Sequence, residues 1–286
     1  MVYLLLTILS SFAVGVLSKI NETAGINRTV VIASNYPVGA VFGLLVILLT
    51  GQPAPGVTTL WLGLVGGLLW PGGFFVFMWG VKQFGMALPG MVGRLSLAVP
   101  VLFGLLFLNE PVTAPLILGL ILTAAALSLF GTLKRSTLPA NLPLWQALVY
   151  FPVLVLVFGL VSVWVNVFNT FAPADEYWSF LTLVYASSAV VSWSIVVLQR
   201  QPVTADAVWR GLLLGVPNFG SSYFLLLALT APAFANNSAI AYTLSSLSVA
   251  VLTFLSGILI WREPTSRRRW IGAGLALLAI VLLNLG

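Results

Sequence analysis

Residues 60–81 and 239–261 carry no charged side chain, and each run is long enough to cross the hydrocarbon layer of a bilayer as a helix. Such a crossing takes roughly 18 or more predominantly apolar residues. Further runs of similar character at 2–18, 30–49, 88–108, 116–133, 144–168, 178–198, 208–229 and 270–285 bring the expected spans to ten. Short connectors rich in Pro, Gly, Asn and charge separate them, 50–59 and 134–143 being clear examples. Spanning helices are expected rather than a barrel, because backbone groups in lipid must be satisfied locally and these runs are too long and too weakly alternating for barrel strands. With 60% hydrophobic and 6% charged side chains, the chain has too little polar surface for a water-soluble domain.

A second feature divides the chain. The stretch 101–129, VLFGLLFLNEPVTAPLILGLILTAAALSL, has a partner at 253–282, TFLSGILIWREPTSRRRWIGAGLALLAIVL. Each runs through an apolar helix into a Glu-Pro pair, passes hydroxyl residues suited to capping, and enters another apolar helix. Glu110-Pro111 and Glu263-Pro264 align at a shift of 153 (263 − 110), which also lays Gly119 on Gly272. Further upstream, Leu60-Trp61-Leu62-Gly63 to Gly67 lies over Val208-Trp209-Arg210-Gly211 to Gly215 at a shift of 148 (208 − 60). The difference implies about five extra residues in the second half, in the Pro-containing connector 231–238. The expected organisation is a first five-helix repeat at 1–133, a linker at 134–143 and a second five-helix repeat at 144–286. An odd number of spans per copy inverts the second copy. The expected fold is therefore an all-α integral membrane protein with ten transmembrane helices as two inverted five-helix repeats.

Lys and Arg give an orientation. The connectors after runs one, three, five, seven and nine carry Lys19 and Arg28, Lys82, Lys134 and Arg135, Arg200, and Arg262 with Arg267, Arg268 and Arg269. Those after the even-numbered runs carry none. By the positive-inside rule the basic side is cytoplasmic, which puts both termini outside, in the bacterial inner membrane. The net charge of +6 thus serves orientation rather than nucleic-acid binding. The first run lacks a basic leader and a cleavage site and reads as a retained helix.

Several chemistries are disfavoured. With no cysteine and no histidine, thiol catalysis, disulfides and the commonest metal ligand are excluded. No enzymatic activity, metal or cofactor is expected. The expected partners are a small-molecule substrate and the lipid bilayer; the sequence assigns no oligomeric state.

In a carrier of this plan the substrate site lies near the midplane between repeats. The candidate substrate-binding residues are Asn35, Tyr36, Trp70, Phe74, Asn166, Asn218, Tyr223 and Tyr242. An Asn or Tyr in lipid is costly unless it pairs or faces a water-filled cavity. Its alternative role is to fasten helices, and for a single Ser, Thr or aromatic residue that role is the default. Pro beside Asn35 and Asn218, and Pro71-Gly72-Gly73 after Trp70, are expected to distort their helices and free backbone groups for a ligand. Lys19 and Arg94 are candidates to attract an anion, although each can snorkel to headgroups. Glu110 and Glu263 invite a proton-coupling role, but each stands with Pro111 or Pro264 where a helix ends, and the expectation is a structural turn. Gly63/Gly67 and Gly211/Gly215 form small-xxx-small faces for close packing.

The LFLNEP and LIWREP turns, each followed by a Gly-containing apolar helix, resemble the end of the repeated unit in the drug/metabolite transporter superfamily, in particular its EamA-type ten-helix members. The resemblance covers essentially the whole chain. The first helix, YLLLTILSSFAVGVLSK, is similar to the opening of small multidrug resistance proteins, but the essential carboxylate of those proteins has no counterpart in 2–18. Members of the superfamily with ten helices are generally described with both termini in the cytoplasm, unlike the charge bias here. The resemblance implies a secondary transporter of small metabolites or drugs that works by alternating access. The aromatic third helix favours export. Uptake of a polar solute such as a sugar is the alternative, with the Asn positions binding hydroxyls. A non-transporting scaffold is a third reading.

Overall fold

The computed structural model describes residues 1–84, 93, 95–108, 112–130, 144–234, 237–262 and 266–283. Among them the chain forms α1 (Val2–Thr23), α2 (Arg28–Thr50), α3 (Val57–Phe84), α4 (Ala98–Phe107), α5 (Ala114–Phe130), α6 (Leu144–Phe171), α7 (Tyr177–Leu198), α8 (Ala205–Thr230), α9 (Ser238–Leu259) and α10 (Arg267–Leu283). Short 3-10 turns precede α4 and α7. No strand occurs among the described residues. Seven helices, α1, α2, α3, α6, α7, α8 and α9, are long and apolar enough to cross a membrane, while α4, α5 and α10 contain shorter apolar helices. The exposed surface of α2 suits lipid: Leu44, Leu45, Leu48 and Leu49 are 49%, 50%, 68% and 85% exposed, a contiguous apolar patch of the kind a soluble surface avoids. The protein is thus an α-helical, multi-pass membrane protein.

Two compact units emerge, each drawing on both sequence halves. Unit 1 comprises residues 1–71 and 164–230, and unit 2 comprises residues 72–163 and 231–286.

In unit 1, α2 packs against both α7 and α8, and α1 lies on α8. The ends of α2 are written in its sequence. Asn27 caps the start by accepting from the backbone N–H groups of Thr29 and Val30 at 3.1 and 3.4 Å, and Gly51 closes the helix at φ +62°. Lipid offers no hydrophobic drive between helices, so they hold together by close approach. The glycines permit it. A Cβ at Gly211 would strike the Val31 carbonyl and Ser34 of α2, and one at Gly215 would meet the Asn35 carbonyl at 2.5 Å and Val38 at 2.7 Å. On α3, a Cβ at Gly63 would strike Leu183 of α7, and one at Gly67 would strike Ser187. The small-xxx-small faces of α3 and α8 therefore seat α7 and α2 respectively.

In unit 2, α10 packs on α5, and α9 packs on α10 and α4. Gly119 of α5 leaves room for Leu283, whose Cγ lies 2.5 Å from where a Cβ would stand. Val99 of α4 occupies the matching space at Gly159 of α6.

The prolines expected to distort their helices do not end them. α2, α3 and α8 run continuously through Pro37, Pro71 and Pro217. A proline removes one helical hydrogen bond, and a neighbour can accept the loss. Pro71 frees the Gly67 carbonyl, and the Ser188 hydroxyl donates to that carbonyl at 3.3 Å. Of the fourth expected span, the described part is a 3-10 turn at Leu95–Leu97 followed by α4. The linker 134–143 and both Glu-Pro turns lie outside the described residues.

Candidate functional site

The most concentrated polar chemistry inside the apolar helices lies in unit 1, where α2, α7 and α8 meet. Asn35 is buried on α2, and its amide N–H donates to the Ile32 carbonyl one turn back at 2.7 Å. Its Oδ1 accepts from Asn218 Nδ2 of α8 at 2.7 Å. Gly215, one turn before Asn218, brings the α8 backbone close enough for this short bond. Tyr185, fully buried on α7, donates its hydroxyl to the Asn218 carbonyl at 2.9 Å and lies 3.0 Å from Ser222 Oγ. Asn218 and Ser222 are four residues apart and share a helix face. Ser221 also donates to the Asn218 carbonyl, at 2.8 Å.

Aromatic rings border this network. Tyr36 meets Tyr185 edge-on at 5.9 Å, and Tyr185 meets Phe219 at 5.3 Å. Gly39 makes this possible, because a Cβ there would strike Tyr185 and come within 2.7 Å of the Phe219 ring. Trp178 and Tyr223 stack at 4.4 Å, and Phe219 lies parallel to Tyr223 at 6.1 Å. Trp178 and Tyr185 are seven residues apart on α7, two turns along one face. The arrangement offers amide and hydroxyl groups beside flat rings.

No charged side chain takes part in this network. Charges gather where α1 ends and α2 and α8 begin. Arg28 pairs with Glu22, and Arg210 holds Asp206 at 2.9 and 3.0 Å and reaches Asn21 at 3.4 Å. Among the described residues no His, Cys, Asp or Glu cluster of three suits a metal.

Of the candidates read from sequence, Asn35, Tyr36, Asn218 and Tyr223 come together here. Asn166 belongs to the same unit, on α6 and 3% exposed. Trp70 is half-buried in the part of α3 that belongs to unit 1. Phe74 and Tyr242 belong to unit 2. There Phe74 lies 6.1 Å from Phe77, which stacks on Phe158 at 5.9 Å, and the Tyr242 hydroxyl donates to the Ser162 carbonyl at 2.9 Å. Lys19 stands near the end of α1, partly exposed. Arg94, Glu110, Pro111, Glu263 and Pro264 lie outside the described residues. Sequence reasoning missed Tyr185, Trp178 and Phe219; the available signal was their spacing with the hydroxyl-rich segments of α7 and α8.

No protein-family model matches the chain. An uncharacterised protein of Haemophilus influenzae (strain Rd) is 27% identical over 299 residues, spanning 98% of this chain and 96% of that one. A solved protein crystal structure superposes with a TM-score of 0.72 at 17% identity, covering 99% of this chain and 96% of the other, a likeness of fold alone. Fold and composition together define the class: a multi-pass, all-helical membrane protein with an uncharged polar and aromatic network among its helices.

Proposed function

We propose that the chain is a secondary transporter of small metabolites or drugs in the bacterial inner membrane, a ten-span member of the drug/metabolite transporter superfamily, working by alternating access. The observation that carries this reading is the Asn35–Asn218–Tyr185 network. Polar side chains amid spanning helices are costly, and besides fastening helices they mark paths for solutes. Both termini face outside in this reading, and export is the favoured direction.

The inverted repeat gains support from the glycine seams. Gly63 seats Leu183 and Gly67 seats Ser187, while Gly211 seats Val31 and Gly215 meets the Asn35 carbonyl. The glycines of the two seams differ by 148 (211 − 63 and 215 − 67), and their partners differ by a constant 152 (183 − 31 and 187 − 35). Two copies of one unit, each packing its third helix on the other's second, produce this pairing.

A second reading, uptake of an uncharged polar solute such as a sugar, is favoured by the absence of charge in the network and by the rings of Trp178, Phe219 and Tyr223. The experiment is flux in proteoliposomes, with radiolabelled sugars and amino acids and fluorescent aromatic cations loaded inside or outside. Saturable flux of any of these, lost in Asn218→Leu at equal protein abundance, supports transport. The side of loading separates the two directions. No flux in wild type contradicts the proposal.

A further inference from the structure

We propose a second, uncharged polar subsite at the end of unit 1 where α6 finishes and α3 and α7 begin, formed by Asn169, Thr59 and Tyr177 and suited to a neutral polyhydroxy solute. Three contacts gather these helix ends. The Trp164 indole N–H of α6 donates to the Leu62 carbonyl of α3 at 2.8 Å. Phe168 stacks on Phe180 of α7 at 4.1 Å and lies 5.5 Å from the Tyr177 ring. The backbone N–H of Gly56, just before α3, donates to Glu176, just before α7, at 3.0 Å. Asn169 follows Phe168 directly, Thr59 lies in the first turn of α3, and Tyr177 opens α7.

Each of these three residues keeps an enclosed polar atom without a hydrogen-bond partner among the described residues. Thr59 is wholly buried and Tyr177 is 9% exposed. Asn169 is the telling case, because both ends of its amide are enclosed and unmatched. A lone serine such as Ser34 or Ser192 can swing toward a helix carbonyl, but an amide needs donor and acceptor partners at once. Buried polar groups are normally paired, so an amide unmatched at both ends, at a junction that also holds the unmatched hydroxyls of Thr59 and Tyr177, marks a place made for a hydrogen-bonding guest. Amide and hydroxyls together present donors and acceptors and no charge. Residues 51–59 and 169–177 contain no Lys or Arg, and Asp175 and Glu176 at the rim repel anions. A neutral polyol fits these terms.

The purpose of the subsite rests on the transport reading, but its test does not. The chain has no cysteine, so Asn169→Cys is a single reporter. In purified protein we expect it to react with the small, uncharged methyl methanethiosulfonate, which local opening admits to an enclosed position. D-glucose should slow the reaction, roughly tenfold at about ten times its dissociation constant, whereas choline at equal osmolarity should not. Asn169→Leu, which removes the unmatched amide, should melt at or above the wild-type temperature. A reporter that fails to react, labelling indifferent to glucose, or a lower melting temperature for Asn169→Leu would each overturn the subsite. Protection without flux in proteoliposomes would instead overturn transport and leave the subsite standing.

Discussion

Asn218 of α8 donates its side-chain amide to the side-chain carbonyl of Asn35 of α2 at 2.7 Å, joining helices whose residues are 183 positions apart. Each asparagine also engages backbone. Asn35 donates to the Ile32 carbonyl, and the Asn218 carbonyl takes the hydroxyls of Tyr185 and Ser221. The pair therefore fixes both the register of two helices and the placement of Tyr185. Asn218 is half-buried while Asn35 is enclosed, so Asn218 is the member able to present its remaining amide valences to a solute.

Replacing Asn218 with Leu should abolish transport while leaving membrane abundance near wild type. Interhelical hydrogen bonds in membranes average about 0.6 kcal/mol, so the stability loss should stay near 1 kcal/mol. Quantitative blotting beside flux measurement checks this. Equal loss of abundance and flux would assign the pair to packing.

Tyr185→Phe retains the ring contacts with Tyr36 and Phe219 but removes the hydroxyl that reaches the Asn218 carbonyl and Ser222. The stability change should again be about 1 kcal/mol, the usual net value of one hydrogen bond. Solute affinity should fall more than maximal flux, because the hydroxyl positions Asn218. The apparent KM and maximal rate from flux curves decide it.

Gly215→Ala should destabilise by about 1–3 kcal/mol, the cost of overpacking, because the new methyl meets the backbone carbonyl of Asn35, which cannot swing away. Gly15→Ala is the matched control. Nothing lies within 4 Å of its Cβ position, so it should gain up to about 1 kcal/mol from helix propensity. Thermal unfolding in detergent should move the two variants in opposite directions.

Reporter fusions within 134–141 should report cytoplasm, and fusions after Gly286 should report the outside, as the Lys and Arg distribution requires. The reverse result at both positions would invert the orientation.

What the sequence made legible follows from what lipid demands locally. Uncharged runs such as 60–81 mark spans because a bilayer penalises charge, and the glycine faces at Gly63/Gly67 and Gly211/Gly215 mark close packing because only a missing side chain lets backbones approach. The choice of neighbour is a different matter. Helical spacing puts Trp70, Phe74 and Phe77 on one face, and Phe74 does lie beside Phe77, but only the fold names Phe158 of α6 as the ring that Phe77 stacks on. The Tyr242 hydroxyl donates to the Ser162 carbonyl, 80 positions away, a partner that no spacing within α9 names. Tyr185 was overlooked because its value lies in Asn218 and Ser222 on another helix. Pro71 was expected to distort α3 and free backbone for a ligand; the helix continues through it, and Ser188 donates to the carbonyl that the proline frees.

The most direct test of the account is a thermal-shift screen of purified wild-type protein and Asn218→Leu side by side, against sugars, amino acids and aromatic cations. A ligand bound by the native state at about 100 times its dissociation constant adds about 2.7 kcal/mol of apparent stability. The account predicts at least one compound that raises the melting temperature of wild type and leaves Asn218→Leu unmoved. No shift across all three classes, or an equal shift in both proteins, would contradict it.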